Sequence, residues 1–76
     1  MYTILIAEDD EEIAMLEKDY LEVAGYQVKL ADNGITAQQI LKNGDIALLL
    51  LDIMLPGKNG FDICREMRGK TDIPII

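Results

Sequence analysis

An α/β fold built on a parallel sheet is the expectation from this sequence, and three features of it carry that expectation. Short β-branched or apolar runs alternate with stretches of helical period. Each run stops at a polar segment or at Gly, Asn or Pro, as strands and helices stop at loops. The run 46–51 is apolar throughout, the pattern of a parallel strand covered on both faces.

The first strand is expected over residues 3–7, where Thr3, Ile4, Leu5, Ile6 and Ala7 end abruptly at Glu8-Asp9-Asp10. From Glu11 the period becomes helical. Ile13, Leu16, Tyr20, Val23 and Ala24 recur at that spacing, Asp10 and Glu11 suit a helix N-terminus, and Gly25 is placed to end the helix. Residues 27–31 read as a second strand, and Asp32-Asn33-Gly34 as a turn into a helix with Ala37, Ile40 and Leu41 on one face. Asn43-Gly44 closes that helix. The third strand, 46–51, runs into Asp52, and the loop 53–60 holds the breakers Pro56, Gly57 and Gly60. Phe61, Cys64 and Met67 then return to helical spacing, and 73–76 begin a fourth strand, with Pro74 tolerated near its start. Strand followed by helix three times, then strand, implies right-handed crossovers.

Composition narrows the chemistry. With 76 residues there is room for one small domain, and half of them are apolar, enough for a packed core. Fourteen acidic against seven basic residues give a net charge of −7, the wrong sign for direct DNA binding or for anionic membranes. One cysteine and no histidine exclude a disulfide framework, a Cys/His zinc site and His-based triads. Cys64 reads as a small core residue, and Met54 and Met67 as gap-fillers rather than a redox stripe. A reduced, cytoplasmic setting fits, because no basic leader precedes Glu8 and no apolar run approaches membrane-spanning length.

The acidic residues carry the functional expectation. Ligands of open parallel sheets sit beyond the carboxyl ends of the strands, and here Glu8 and Asp9 follow the first strand while Asp52 ends the third. If those strands are neighbours, the carboxylates converge. Two carboxylates about 4 Å apart repel by roughly 4 kcal/mol at an effective dielectric near 20, which a divalent cation relieves. Mg²⁺ takes oxygen ligands and is usually held by one or two carboxylates plus a phosphate. An aspartate can act as nucleophile and form an aspartyl-phosphate, so Asp52 is the expected phosphoacceptor. Each acidic group taken alone also fits a plainer role, Glu8 to Asp10 as helix-capping charges and Asp52 as a loop residue. Their joint place at matched strand ends favours the functional reading.

The run 4–13, Ile-Leu-Ile-Ala-Glu-Asp-Asp-Glu-Glu-Ile, resembles the opening of a response-regulator receiver domain of two-component systems. The run 50–61, Leu-Leu-Asp-Ile-Met-Leu-Pro-Gly-Lys-Asn-Gly-Phe, resembles its phosphorylation site, and looks most like receivers of the OmpR/PhoB type. Asp32-Asn33-Gly34 and residues 71–76 stand in family order, so the resemblance covers the chain. It implies a flavodoxin-like (CheY-like) doubly wound parallel sheet, here β-α-β-α-β-α-β, with residues 1–76 forming part of a receiver and ending within the fourth strand. Asp52 would be the phosphoacceptor, Asp9 a direct Mg²⁺ ligand, Glu8 its neighbour acting largely through water, and Met54 a ligand through its backbone carbonyl. Aspartate is commoner in the family at the position of Glu8. Pro56 and Gly57 would shape the loop.

By the same resemblance the chain is a phosphoacceptor signalling domain rather than an enzyme. Its donor would be a separate histidine kinase, and its output a DNA-binding, winged-helix domain that regulates transcription. The family's phosphate-binding hydroxyl and lysine fall after Ile76. Lys58 and Lys70 do not occupy that lysine position and read as solvated surface residues. An exposed fourth-strand edge would favour a homodimer. Three other readings compete with this one. A flavodoxin-like cofactor binder needs a phosphate-cradling loop where Glu8-Asp9-Asp10 stands. A haloacid-dehalogenase-type phosphatase needs Asp-x-Asp after the first strand, where this chain has Glu8-x-Asp10. A non-phosphorylated interaction or folding fragment of a receiver remains the third.

Overall fold

Thr3–Ala7 forms β1, buried at all five positions, in a computed structural model that describes residues 2–51, 65 and 74–76. After β1 come α1 (Glu11–Val23), β2 (Gln27–Ala31), α2 (Gly34–Lys42) and β3 (Leu48–Leu51). β1 is the central strand of the sheet β2-β1-β3, and both pairings are parallel. It faces β2 from Thr3↔Gln27 to Ala7↔Ala31, and β3 from Ile4↔Leu48 to Ala7↔Leu51. On the far side of β3, Ile75 makes a parallel bridge to Leu49. The Leu49 amide donates to the Pro74 carbonyl at 3.0 Å, and the Leu51 amide to that of Ile76 at 2.8 Å. Pro74 lacks an N–H but still accepts, which is how proline serves at a strand's start. Residues 74–76 thus pair alongside β3 within the stretch where the sequence placed a fourth strand.

The two helices take opposite faces of the sheet. Ala37 and Leu41 of α2 pack with Leu5, Ala7, Ala31, Ile46 and Leu49 in one core, edged by Ile40, Leu51 and Ile75. This is the apolar face expected of the second helix. α1 lies against the other face, where its Leu21 borders a concavity with Ile4 and Leu48.

α1 also departs from the simplest reading of its sequence. Its helical-period set is largely exposed, by 47% at Ile13, 66% at Leu16, 79% at Tyr20 and 90% at Val23. Ala14 is its buried residue, and Glu17, Lys18 and Leu21 are half-buried, so the side toward the sheet is the row 14/17/18/21. A small side chain at position 14 lets the helix approach the sheet closely, and the larger apolar row is left exposed. Lys18 and Glu22 meet on the helix at 2.9 Å, and that hydrogen bond raises the lysine's pKa above its usual value.

Helix ends follow the polar and glycine signals. Asp10 caps α1, and Asn33 caps α2 through a 2.8 Å bond from the Thr36 amide to its Oδ1. At the end of α1 the Gly25 amide donates to Glu22 at 3.1 Å and the Tyr26 amide to Leu21 at 3.1 Å, the paired bonds of a Schellman motif. That motif needs the left-handed backbone that Gly25 supplies, with φ 101°.

The run 46–51 is corrected at its start and in its burial. β3 begins at Leu48, because Gly44 and Asp45 take successive left-handed conformations, φ 86° and 66°, to bring the chain round from α2. Leu49 is fully buried, while Leu48, Leu50 and Leu51 are half-buried. The strand covered on both faces is β1, which has a helix on either side. Of the third helix expected around Phe61, Cys64 and Met67, Arg65 is described and is helical and exposed. The loop 53–60, Lys58, Lys70 and Ile73 lie outside the described residues.

Candidate functional site at the carboxyl edge of the sheet

The β1–α1 turn is held at two points. Glu8 stays tied to the sheet, its amide donating to the Ala31 carbonyl of β2 at 2.9 Å. Asp10 belongs to the helix. Its Oδ1 accepts from the amides of Glu12 at 3.0 Å and Ile13 at 3.2 Å, and its carbonyl accepts from Ala14 at 2.9 Å. The two points are also linked directly, because the Asp10 amide donates to Glu8 Oε1 at 3.2 Å. Asp9 stands between them with an exposed side chain, and Glu8 is half-buried.

The three acidic residues therefore divide their work. Asp10 caps the helix, the role weighed in the sequence for all three, while Glu8 and Asp9 are presented at the carboxyl edge of the sheet. Asp32, which directly follows β2, joins them. A concavity there is lined by Glu8, Asp9, Glu11, Asp32 and Thr36 over a floor of Ala14 and Ala31. Sequence reasoning gave Asp32 only a place in a turn. The signal for more was available: it follows a strand that pairs with β1, as Asp52 follows one on the other side. Asp32 Oδ1 accepts a 2.8 Å bond from Asn33 Nδ2.

Oxygen donors of this kind suit a hard divalent cation such as Mg²⁺, and no histidine is present to favour a softer metal. Among the described residues no three carboxylate, cysteine or histidine side chains are grouped so as to hold an ion. The expected set also includes Asp52 and the Met54 carbonyl, which lie outside the described residues. β1 and β3 run side by side as far as Ala7 and Leu51, the residues that precede Glu8 and Asp52 in sequence.

Comparison with known proteins places this arrangement. The family model "Response regulator receiver domain" matches residues 4–76. The chain is 42% identical to the transcriptional regulatory protein RstA of Escherichia coli over 76 residues, covering all of this chain and 32% of RstA. It is 43% identical to the response regulator SaeR of Staphylococcus aureus over 77 residues, covering all of this chain and 33% of SaeR. It thus spans about a third of the length of the curated relatives it matches. Among solved structures, the response regulator TrrA of Thermotoga maritima in complex with Mg²⁺-BeF superposes with a TM-score of 0.93 at 36% identity, over 99% of this chain and 66% of that one. TrrA has also been solved in complex with the histidine kinase ThkA. The parallel order β2-β1-β3, the acidic turn after β1 and a family match over nearly the whole length agree: this chain belongs to the response-regulator receiver domains of two-component signalling.

Proposed function

We propose that this chain takes a phosphoryl group on Asp52 from a separate histidine kinase, in a Mg²⁺-dependent reaction. The parallel register of β1 on β3 supports this most, since Ala7 stands opposite Leu51 and the residues that follow them are Glu8 and Asp52. In this reading Asp9 is a direct metal ligand, Glu8 acts largely through water, and the carbonyl of Met54 completes the protein's share. The Asp10 amide on Glu8 Oε1 fits the indirect role, because it turns that longer side chain back toward the helix.

Bound Mg²⁺ would offset the charge on the phosphoryl oxygens during transfer. A carboxylate oxygen of Asp52 forms the new O–P bond as the donor's P–N bond breaks, and the electron pair leaves with the donor imidazole. Glu8 and Asp9 would hold the ion, and the hydrogen bonds of the β1–α1 turn fix the backbone from which they reach it. The aspartyl-phosphate is the signalling state rather than a step in turnover of a substrate.

The output we read as regulation of transcription, the role that the name of RstA carries, exerted on DNA through another part of the intact protein. A cytoplasmic location suits that role. Among the described residues no helix is long and apolar enough to cross a membrane. On their own, residues 1–76 are proposed to associate as copies through the edge that carries Ile75 and Ile76.

The test is intact mass after incubation of the whole protein with Mg²⁺ and a small phosphoryl donor such as acetyl phosphate. Wild type gains one phosphate and Asp52→Asn gains none. An equal gain in Asp52→Asn would move the acceptor elsewhere, and no gain in wild type would remove the reading.

A further inference from the structure

We propose that Asp10 is the positioning residue of the metal-binding pair, holding Glu8 and Asp9 in place by capping α1. This rests on the Mg²⁺ reading of that pair. The residue bonds in both directions along the chain. Forward, its Oδ1 takes the amides of Glu12 at 3.0 Å and Ile13 at 3.2 Å, and its carbonyl takes that of Ala14 at 2.9 Å. Backward, its own amide holds Glu8 Oε1 at 3.2 Å. Its backbone is extended, φ −81° and ψ 111°, the conformation a capping residue takes just before a helix.

The consequence falls on Asp9. That residue is bracketed by Glu8, whose amide is fixed to Ala31 of β2 at 2.9 Å, and by Asp10, fixed to the first turn of α1. With both neighbours pinned, the backbone of Asp9 has little freedom, and its exposed carboxylate is offered from a fixed root. Such pre-organisation matters for Mg²⁺, which demands near-ideal octahedral geometry and loses its waters reluctantly. Losing the cap frees one side of the bracket. The Asp10 amide that turns Glu8 back then also loses its fixed direction. Asp10 acts through Glu8 and Asp9, and its own Oδ1 is committed to the helix.

Three variants of the intact protein separate this role from charge and from stability. Asp10→Asn and Asp10→Ala remove the same charge, but only asparagine caps well. Asp10→Gly tolerates the cap position with a small loss of stability and has no capping side chain. Mg²⁺ affinity is read by titration calorimetry, well below the melting temperature and with helix content checked by circular dichroism. Loss of groups that orient metal ligands typically weakens affinity by about 10–100-fold. Asp10→Ala and Asp10→Gly are therefore expected to bind Mg²⁺ about tenfold more weakly than Asp10→Asn, which stays close to wild type. Equal affinities in the Asn, Ala and Gly variants would overturn the proposal, leaving Asp10 a structural cap. So would an Asn variant as weak as Ala, which would make the charge the cause. A wild type that binds no Mg²⁺ would instead remove the reading on which the proposal rests. Asp10→Gly keeps the test decisive if Asp10→Ala does not fold.

Discussion

Glu8 and Asp9 are adjacent carboxylates with unequal freedom, and that inequality has a measurable consequence. Glu8 is half-buried, its amide bound to β2 and its Oε1 to the Asp10 amide, whereas the Asp9 side chain is exposed. A direct ligand needs short, fixed reach, which an aspartate gives better than a glutamate. Asp9→Ala is therefore expected to weaken Mg²⁺ binding by at least about tenfold, the lower end for loss even of supporting groups. Glu8→Gln keeps an oxygen that can accept from Asp10 and should cost less. Calorimetric titration of both variants checks the order, and a larger loss at Glu8 would reverse the assignment. In the core, Leu49 is fully exposed to packing from both neighbouring strands and from α2, with no contact with solvent. Leu49→Ala is expected to destabilise the fold by about 2–5 kcal/mol, the range for deleting a buried leucine side chain. Urea unfolding would show this as a lower midpoint, and an unchanged midpoint would mean that the site collapses around the cavity.

The helices are bounded by local chemistry, which explains why their limits are legible in the sequence. Asp10 and Asn33 sit where their side chains can satisfy first-turn amides, and Gly25 and Gly44 where the chain must turn left-handed. Gly25→Ala should destabilise the protein by about 1–2 kcal/mol, because φ 101° is strained for a residue with a Cβ, although that Cβ would meet no atom within 4 Å. Urea unfolding decides this too: stability equal to wild type would show that the helix end relaxes without the Schellman bonds. What local chemistry does not specify is the partner of each face. Ile13, Leu16, Tyr20 and Val23 announced a helix correctly, yet the residue that meets the sheet most closely is Ala14. A periodic apolar row reports amphipathicity without saying what it will touch. Burial of the sheet followed the same rule. The uniformly apolar run 46–51 read as the covered strand, but coverage depends on neighbours, and β1 has a strand on each side and a helix on each face. The acidic site was legible in Glu8 and Asp9 because they follow a strand directly. Asp32 was missed because its turn signal was sufficient to explain it, and the division of labour between Asp9 and Asp10 needed the hydrogen bonds.

The sheet and its helices leave apolar surface in two connected places when residues 1–76 stand alone. One is the α1 row of Leu16, Tyr20 and Val23, and the other is the edge where Ile76 is 73% exposed. Between them lies a concavity bordered by Ile6, Ile13, Leu50 and Ile76. Isolated exposed apolar residues are ordinary, but a row on a helix beside an open strand edge is the kind of surface that proteins usually cover. A small domain also has little stability to spare for leaving it wet. The net charge of −7 opposes association, and salt screens that repulsion while leaving apolar burial in place. The 76-residue chain is therefore expected to self-associate, more strongly at high ionic strength than at low. Light scattering across a dilution series at two salt concentrations reads this directly. Leu16→Glu together with Val23→Glu should weaken association if the helix row contributes, and Ile76→Lys should weaken it if the strand edge does, since a lysine at an edge discourages pairing with another strand. A folded monomer at every concentration and both salt levels would show that neither surface recruits a second copy.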